Sequence, residues 1–276
     1  MPEGDSIFRA ARTLHRALAG KQVTAFESVL PALNRIHDDT PVTGRTIESV
    51  NAIGKHLLIH FSGNLVLRTH MRMNGSWHIY RLRERWQRPR RDMRIVLSTA
   101  DFEAVGFAIP VAEFISETRL SKHADLRKLG PDVLSETFDA EKVIENLRSQ
   151  STVEIAEALL NQRVLAGLGN VYKSEVLFMC GVNPFAPVAH LSDAQLASIV
   201  ETARRTLNMN VAEGLELMTT YGGMRRTTHR SAPSERLWVY GRARLPCRRC
   251  GASIQVRKQG IGARLTYWCD QCQRHP

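Results

Sequence analysis

Residues Cys247 to Cys272 read CRRCGASIQVRKQGIGARLTYWCDQC. Two Cys-x2-Cys pairs stand 18 residues apart, and each pair brings two thiolates together from one tight turn, so that four sulfurs close a tetrahedral shell around a single zinc ion. A closed shell of this kind is structural. Between the pairs, SIQVRKQG and ARLTYWC are β-like runs around a Gly-Ile-Gly turn, which predicts a metal-braced hairpin. Arg264 then falls near the tip, where a rigid finger presents a guanidinium to phosphate. A module of about 30 residues holds little core of its own, so the metal supplies much of its folding energy. The remaining cysteine, Cys180, lies in the apolar run VLFMCGV and reads as core rather than as a nucleophile.

Upstream of this hairpin the periodicity is helical. Asp139 is placed to cap AEKVIENLRSQ, Ser151 with Glu154 to form a capping box before VEIAEALLNQRVLAG, and Ser192 with Gln195 to cap a longer helix. That longer helix has Leu196, Ile199, Val200, Ala203 and Leu207 on one face. A further helix opens near Asn170. TTYGGMRRTTHRSAPSER, ending at Arg236, reads as a mobile loop before the hairpin. From Gln22 to about Phe114 the chain is instead a series of short β-rich runs broken by Gly, Asn, Pro and Asp, the pattern of an antiparallel sandwich or barrel. GDSIFRAARTLHRALAG precedes them as an amphipathic helix with Ile7, Ala10, Ala11, Leu14 and Leu18 on one face and Gly20 as its stop.

The chain has 276 residues, 43% of them hydrophobic, and a net charge of +11. That apolar content excludes a largely disordered polypeptide. No apolar run approaches the roughly 20 residues of a spanning helix, and MPEGDSIFR lacks the order of a signal peptide. The expectation is a cytoplasmic protein, nucleoid-associated in a prokaryote, with no membrane partner. Its charge is concentrated: Thr219 to Pro276 holds twelve Lys or Arg against two acids, and Arg81 to Arg94 holds seven Arg against Glu84 and Asp92. Such a balance points to nucleic acid, although an isolated basic run such as the second is as often a solvated loop.

The second residue is Pro2, small enough for removal of Met1 to be expected. Removal exposes a secondary amine, and an α-amino group of pKa about 8 is partly neutral at pH 7. Attack of such an amine on a sugar C1′ yields an iminium, an electron sink for β-elimination. Glu3 beside it is a candidate general acid and base. Alone, the pair reads as a frayed terminus; the helix that follows anchors it on a rigid element and alters that reading.

Six motifs occur in one order: MPEGD at the start, GKHLLIHF from Gly54, HMRMNG from His70, LGPD from Leu129, GLGNVYKSE from Gly167, and YGR followed by the four-cysteine hairpin. Together they resemble the formamidopyrimidine-DNA glycosylase and endonuclease VIII family of bifunctional base-excision enzymes, across essentially the whole chain. The resemblance implies a multidomain α+β fold. An N-terminal helix and antiparallel β-sandwich would span 1–118, a helix-two-turn-helix domain with a lesion-side loop 119–236, and a β-hairpin zinc finger 237–276, with DNA in the cleft between domains. It implies that Pro2 is the Schiff-base nucleophile, Glu3 its proton-transfer partner, and Lys55, in the GKHLL strand, the lysine that contacts the phosphate beside the lesion and assists catalysis. His70, Asn170 and Arg264 would contact DNA, and Met73 would fill the gap left by the extruded base, although an ordinary core methionine is the competing reading. Glu175 matches a family acidic position and is otherwise a helix surface charge. His229 and Arg230 would lie in the loop over the flipped base. Cys247, Cys250, Cys269 and Cys272 would hold one structural Zn2+, with no catalytic cofactor.

The start PEGDS and the segment EAVGFAIPVAEF, which lacks paired arginines, differ from purine-directed members and lean toward the endonuclease VIII branch and oxidised pyrimidines. Ser6 stands where many members have a second glutamate, which keeps open a mainly abasic-site lyase. The expected partner is damaged DNA, double- or single-stranded, bound by a monomer and cut by β,δ-elimination. Two other classes remain: a non-catalytic damage sensor on the same scaffold, and a zinc-ribbon adaptor unrelated to DNA. Borohydride trapping on abasic-site DNA separates them.

Overall fold

The structure, a computed structural model, describes residues 2–212, 225–228 and 230–274. Met1, His229 and the beginning of the Gly- and Arg-rich loop, 219–224, lie outside the described residues. The chain divides into two compact units, the first running to Arg127 and the second beginning at Lys128.

The first unit opens with α1 (Gly4–Leu18), β1 (Ala25–Ser28) and α2 (Pro31–Asp39). Seven strands follow: β2 (Ile47–Ile53), β3 (His56–Phe61), β4 (Leu65–His70), β5 (Ser76–Arg81), β6 (Met93–Ser98), β7 (Phe102–Phe107) and β8 (Val111–Ile115). Two short helices, α3 (Glu117–Leu120) and α4 (Ala124–Arg127), close the unit. The strands form two antiparallel four-stranded sheets, ordered β2-β3-β4-β8 and β1-β6-β7-β5. Strand alternation sends Leu57, Ile59 and Phe61 of β3 and Leu65 and Leu67 of β4 inward against Trp77, Ile95 and Leu97, and Ile7, Leu14 and Leu18 of α1 join the same core. The sequence does not announce α2, because only Leu33 of it is buried and a single inward residue leaves no helical stripe to detect.

Both outer faces of the sandwich are covered. On β3, β4 and β8 the outward His60, Arg68 and Glu113 meet the segment after β8, with His60 Nδ1 at 3.0 Å from Glu117, Glu113 at 3.0 Å from His123 Nε2, and Arg68 at 3.6 Å from Asp125. On the other sheet Tyr80, Met93, Val96, Val105 and Phe107 form a small second core, closed by Trp86 from the loop between β5 and β6.

The second unit contains α5 (Ala140–Arg148), α6 (Ile155–Leu160), α7 (Asn170–Met179), α8 (Asp193–Ala212) and the antiparallel hairpin β9 (Gln255–Gln259) and β10 (Arg264–Trp268). Asp139 caps α5, its carboxylate accepting from Lys142 N at 2.9 Å. Ser192 and Gln195 form the reciprocal box before α8, at 2.8 and 3.2 Å. The Ser151–Glu154 box does not form. α6 starts at Ile155 and ends at Leu160, and Glu154 Oε2 instead accepts from Gln259 Nε2 of the hairpin at 2.6 Å. The residues between α6 and α7 run as turns, giving the helix-two-turn-helix arrangement.

Candidate functional site

In the first unit the residues singled out by motif lie at the start of α1, in the β2–β3 turn, at the end of β4 and in the loop after it. Three contacts set the direction of α1 against β2: Gly20 N donates to Ile47 O at 2.8 Å, Val50 N donates to His15 Nδ1 at 3.1 Å, and Ala11 and Arg12 share a groove with Asn51 and Ala52. The helix therefore runs antiparallel to the strand. From His15 back to Glu3 is about 18 Å at 1.5 Å per residue, and from Val50 on to Ile53, where β2 ends and the turn begins, is about 10 Å at 3.3 Å per residue. The start of α1 thus lies toward the end of β2 that leads into the Gly54–Lys55 turn.

Pro2 and Glu3 are both buried, Glu3 completely. Glu3 is the N-cap residue of α1, and its carbonyl accepts from Ser6 N and Ile7 N at 3.0 Å each. Asp5 is fully buried and sits 3.6 Å from Arg9 and 3.3 Å from the Ser6 hydroxyl, so the position expected to carry a second glutamate holds a hydroxyl that donates to Asp5.

Lys55 lies not in a strand, as its sequence context suggested, but in the two-residue turn joining Ile53 to its partner His56. Gly54 takes the first turn position with φ +58, the place where a tight hairpin requires glycine. His70 ends β4 opposite His56, with ring centroids 4.9 Å apart. Burial first, then Arg72, Lys55 and Arg68, hold the His70 ring down at about 4. Burial, His70 and Arg68 hold His56 at about 3, and its Nδ1 is 2.8 Å from Arg68 Nη1. Both rings are neutral at pH 7, and Arg68 is oriented by Glu113 at 2.6 Å.

The five-residue loop 71–75 follows His70 and crosses to β5. Met71 is buried while Met73 is half exposed, so Met73 is not a core methionine. Gly75 N donates to Met71 O at 2.9 Å, and a Cβ on Gly75 would lie 2.5 Å from that carbonyl, which makes glycine necessary for the tight turn. The segment where paired arginines were sought forms β7, β8 and a three-residue connection, 108–110.

The second unit has its own polar centre at the start of α7. Asn170 is buried, its amide nitrogen donating to Leu265 O at 2.9 Å and its oxygen accepting from Lys173 Nζ at 2.9 Å. Lys173 is 1% exposed and reaches on to Thr266 Oγ1 at 2.7 Å. Nothing in the sequence reading singled it out; an inward lysine at i+3 from Asn170 is the signal that was available. Arg264, beside Leu265, is exposed at the first position of β10. Glu175 is fully buried rather than a surface charge. Its carboxylate accepts from the backbone N of Trp238, Val239 and Tyr240 at 2.8 Å each and from the Thr227 hydroxyl; burial pushes its pKa up against these donors.

The four cysteines form the metal centre. The sulfurs of Cys247, Cys250, Cys269 and Cys272 all lie within 4.8 Å of one another, with Cys247 to Cys272 at 3.9 Å and Cys250 to Cys269 at 3.4 Å. Thiolates about 2.3 Å from one zinc ion in a tetrahedron stand about 3.8 Å apart, so this donor set fits zinc and leaves no position for substrate. Part of the basic charge here is structural: Arg249 donates to Phe178 O and Met179 O at the end of α7 at 3.1 and 3.3 Å, and Arg248 to Leu237 O at 3.1 Å.

Comparison with known proteins agrees with this layout. Profiles described as the formamidopyrimidine-DNA glycosylase N-terminal domain, the formamidopyrimidine-DNA glycosylase H2TH domain and the zinc finger found in FPG and IleRS match residues 1–130, 129–221 and 244–274. The chain is 41% identical over its whole length to the probable endonuclease 8 2 of Streptomyces coelicolor, covering 95% of that protein. It is 37% identical to the DNA-(apurinic or apyrimidinic site) lyase Nei2 of Mycolicibacterium smegmatis, with 99% of each chain covered. Among solved structures, Lactococcus lactis Fpg in complex with oxidized-pyrimidine DNA superposes with a TM-score of 0.82 at 25% identity, covering 99% of this chain and 100% of that one. Among the described residues no helix is long and apolar enough to cross a membrane. With family profiles along most of its length and a 41% identical relative over all of it, the chain belongs to the formamidopyrimidine-DNA glycosylase and endonuclease VIII family.

Proposed function

We propose that the protein is a DNA glycosylase and abasic-site lyase of base-excision repair that removes oxidised pyrimidines, with residues 1–118 carrying the chemistry and 119–236 and 237–276 holding DNA. The observation that carries this reading is the seating of Pro2 and Glu3: both are buried at the start of α1, where a frayed terminus would be exposed.

In this mechanism the Pro2 nitrogen, freed by loss of Met1, bonds to C1′ as the glycosidic bond breaks and the base departs with its electron pair and a proton. Glu3 protonates the ring oxygen as the C1′–O4′ bond opens, leaving an iminium. Loss of a C2′ proton expels the 3′ phosphate, loss of a further sugar proton expels the 5′ phosphate, and water then hydrolyses the C1′ iminium, releasing the unsaturated aldehyde and restoring the Pro2 amine. Lys55 binds the phosphate beside the lesion, His70 supports it as a neutral ring, and Met73 fills the vacated stack. Asn170 contributes its remaining amide hydrogen and Arg264 its guanidinium to the backbone. Zinc bound by the four cysteines braces the hairpin, and no catalytic cofactor is required. The protein acts as a monomer on duplex or single-stranded DNA.

The lean toward pyrimidines rests on the three-residue β7–β8 connection, which is too short for a wedge loop, and on the exposed Met73 of the loop between β4 and β5. Incision of duplexes carrying thymine glycol, dihydrouracil, 5-hydroxycytosine, 8-oxoguanine or an abasic site tests it. The expected order places the pyrimidine lesions and the abasic site above 8-oxoguanine, with ends cut on both sides of the sugar. Cleavage of the abasic site alone would reduce the enzyme to a lyase, and no cleavage of any substrate would favour a damage sensor.

A further inference from the structure

We propose that the loop 82–92, with Arg81 at its base, is an additional DNA-binding arm that tracks the phosphate backbone of duplex flanking the Met73 loop. The inference rests on the DNA-repair reading for its partner.

The arm is built, not loose. Trp86 packs edge-on against Phe107 at 5.6 Å and donates from Nε1 to Glu103 at 3.2 Å; Gln87 N donates to the Tyr80 hydroxyl at 3.1 Å. Arg88 ties the arm to the sheet-crossing loop: its Nη1 reaches Asn74 O at 3.1 Å and Ser76 Oγ at 3.2 Å, and its Nη2 reaches Asp92 at 3.1 Å. Asn74 follows the exposed Met73 directly. Arg90 is held by Glu27 at 2.8 Å.

With those two arginines engaged, four remain. Arg81, Arg83, Arg85 and Arg91 are exposed, and among the described residues none of their guanidinium groups makes a hydrogen bond or ion pair. Their order along the sheet follows from register. Ser76, Phe107 and Met93 stand side by side, as do Arg81 and Phe102. Arg91, two residues before Met93, therefore lies at the end where the Met73 loop emerges, and Arg81 lies at the far end of β5, about 17 Å away at 3.4 Å per residue. Measured along the helix axis, one strand of duplex rises through about five phosphates in that length. A row of unneutralised guanidinium groups on a fixed scaffold, continuous with the loop that would enter the stack, has the charge and span for that backbone. Glutamate occurs in this segment only as Glu84, whose carboxylate accepts from Arg81 N.

The test is the salt dependence of binding by the full-length, zinc-loaded protein. A quadruple variant R81Q/R83Q/R85Q/R91Q and a charge-matched control on the same unit, R35Q/R119Q/K122Q/R127Q, are titrated by anisotropy against a tetrahydrofuran-containing duplex between 50 and 200 mM KCl. Each lost phosphate contact flattens the log K against log [salt] slope by about 0.9, so the arm variant should lose about 2 to 4 from the slope and the control less than about 1. Thermal unfolding confirms that both variants fold. An unchanged slope in the arm variant, or an equal loss in the two variants, would overturn the proposal. Because tetrahydrofuran supports no imine, failure of the Pro2 chemistry would leave this measurement unaffected.

Discussion

The ammonium of Lys173 sits 2.9 Å from the side-chain oxygen of Asn170, inside the second unit and 1% exposed. The same ammonium donates to Thr266 of β10, so the start of α7 and the finger hairpin share one buried donor. Lys173→Met removes it, and each acceptor left without its donor costs about 1–3 kcal/mol. Urea unfolding should show an earlier transition for the second unit, with amide exchange accelerated along β9 and β10. An exchange pattern in the hairpin equal to wild type would show that the contact is dispensable.

Glu175 collects three backbone N–H donors from Trp238, Val239 and Tyr240. Glu175→Gln keeps the shape but turns an amide NH2 toward at least one of them, for a loss of about 1–3 kcal/mol. Exchange at residues 238–240 should rise well above that of α8 in the same protein.

Zinc removal should unfold the 247–272 hairpin, because four cysteine sulfurs within 4.8 Å have little else to hold them and structural zinc contributes about 10–16 kcal/mol in small finger peptides. Metal analysis should give one zinc per chain. Cys269→Ser should lose both the metal and the hairpin's exchange protection, whereas Arg264→Ala should weaken DNA binding and keep both.

His56 and His70 have folded pKa values lowered to about 3 and about 4 from an unfolded value near 6.5. The unfolded chain therefore binds more protons between these values, and stability of the first unit is complete above pH 6.5 and falls as pH drops toward 4. The thermal midpoint should decline across that window, and less steeply in His56→Gln. NMR titration of either ring with a midpoint near 6.5 would contradict the burial assigned to it.

Features set by neighbouring residues were legible in the sequence. The four cysteines, the Asp139 cap, the Ser192–Gln195 box and the strand alternation of β3 and β4 depend on spacing of a few residues. Features set by distant partners were not. Glu154 reads as half of a capping box until Gln259, 105 positions later, takes its carboxylate. Glu175 reads as a surface charge until the backbone of Trp238 to Tyr240 folds over it. The tail's charge reads as a binding surface, yet Arg248 and Arg249 are engaged with backbone carbonyls. In the first unit, Pro2, Glu3, Lys55 and His70 were each legible by motif, but the proximity of Lys55 to His70 and the antiparallel run of α1 along β2 depend on strand pairing that no single motif carries.

Whether the Pro2 amine forms the covalent intermediate is decided by borohydride trapping on abasic-site duplex with protein whose N-terminus has been verified as Pro2. The expected result is a reduced adduct mapped by mass spectrometry to Pro2, absent when Met1 is retained. An adduct that persists with Met1 in place or maps to Lys55, or no adduct from the processed protein, would contradict it.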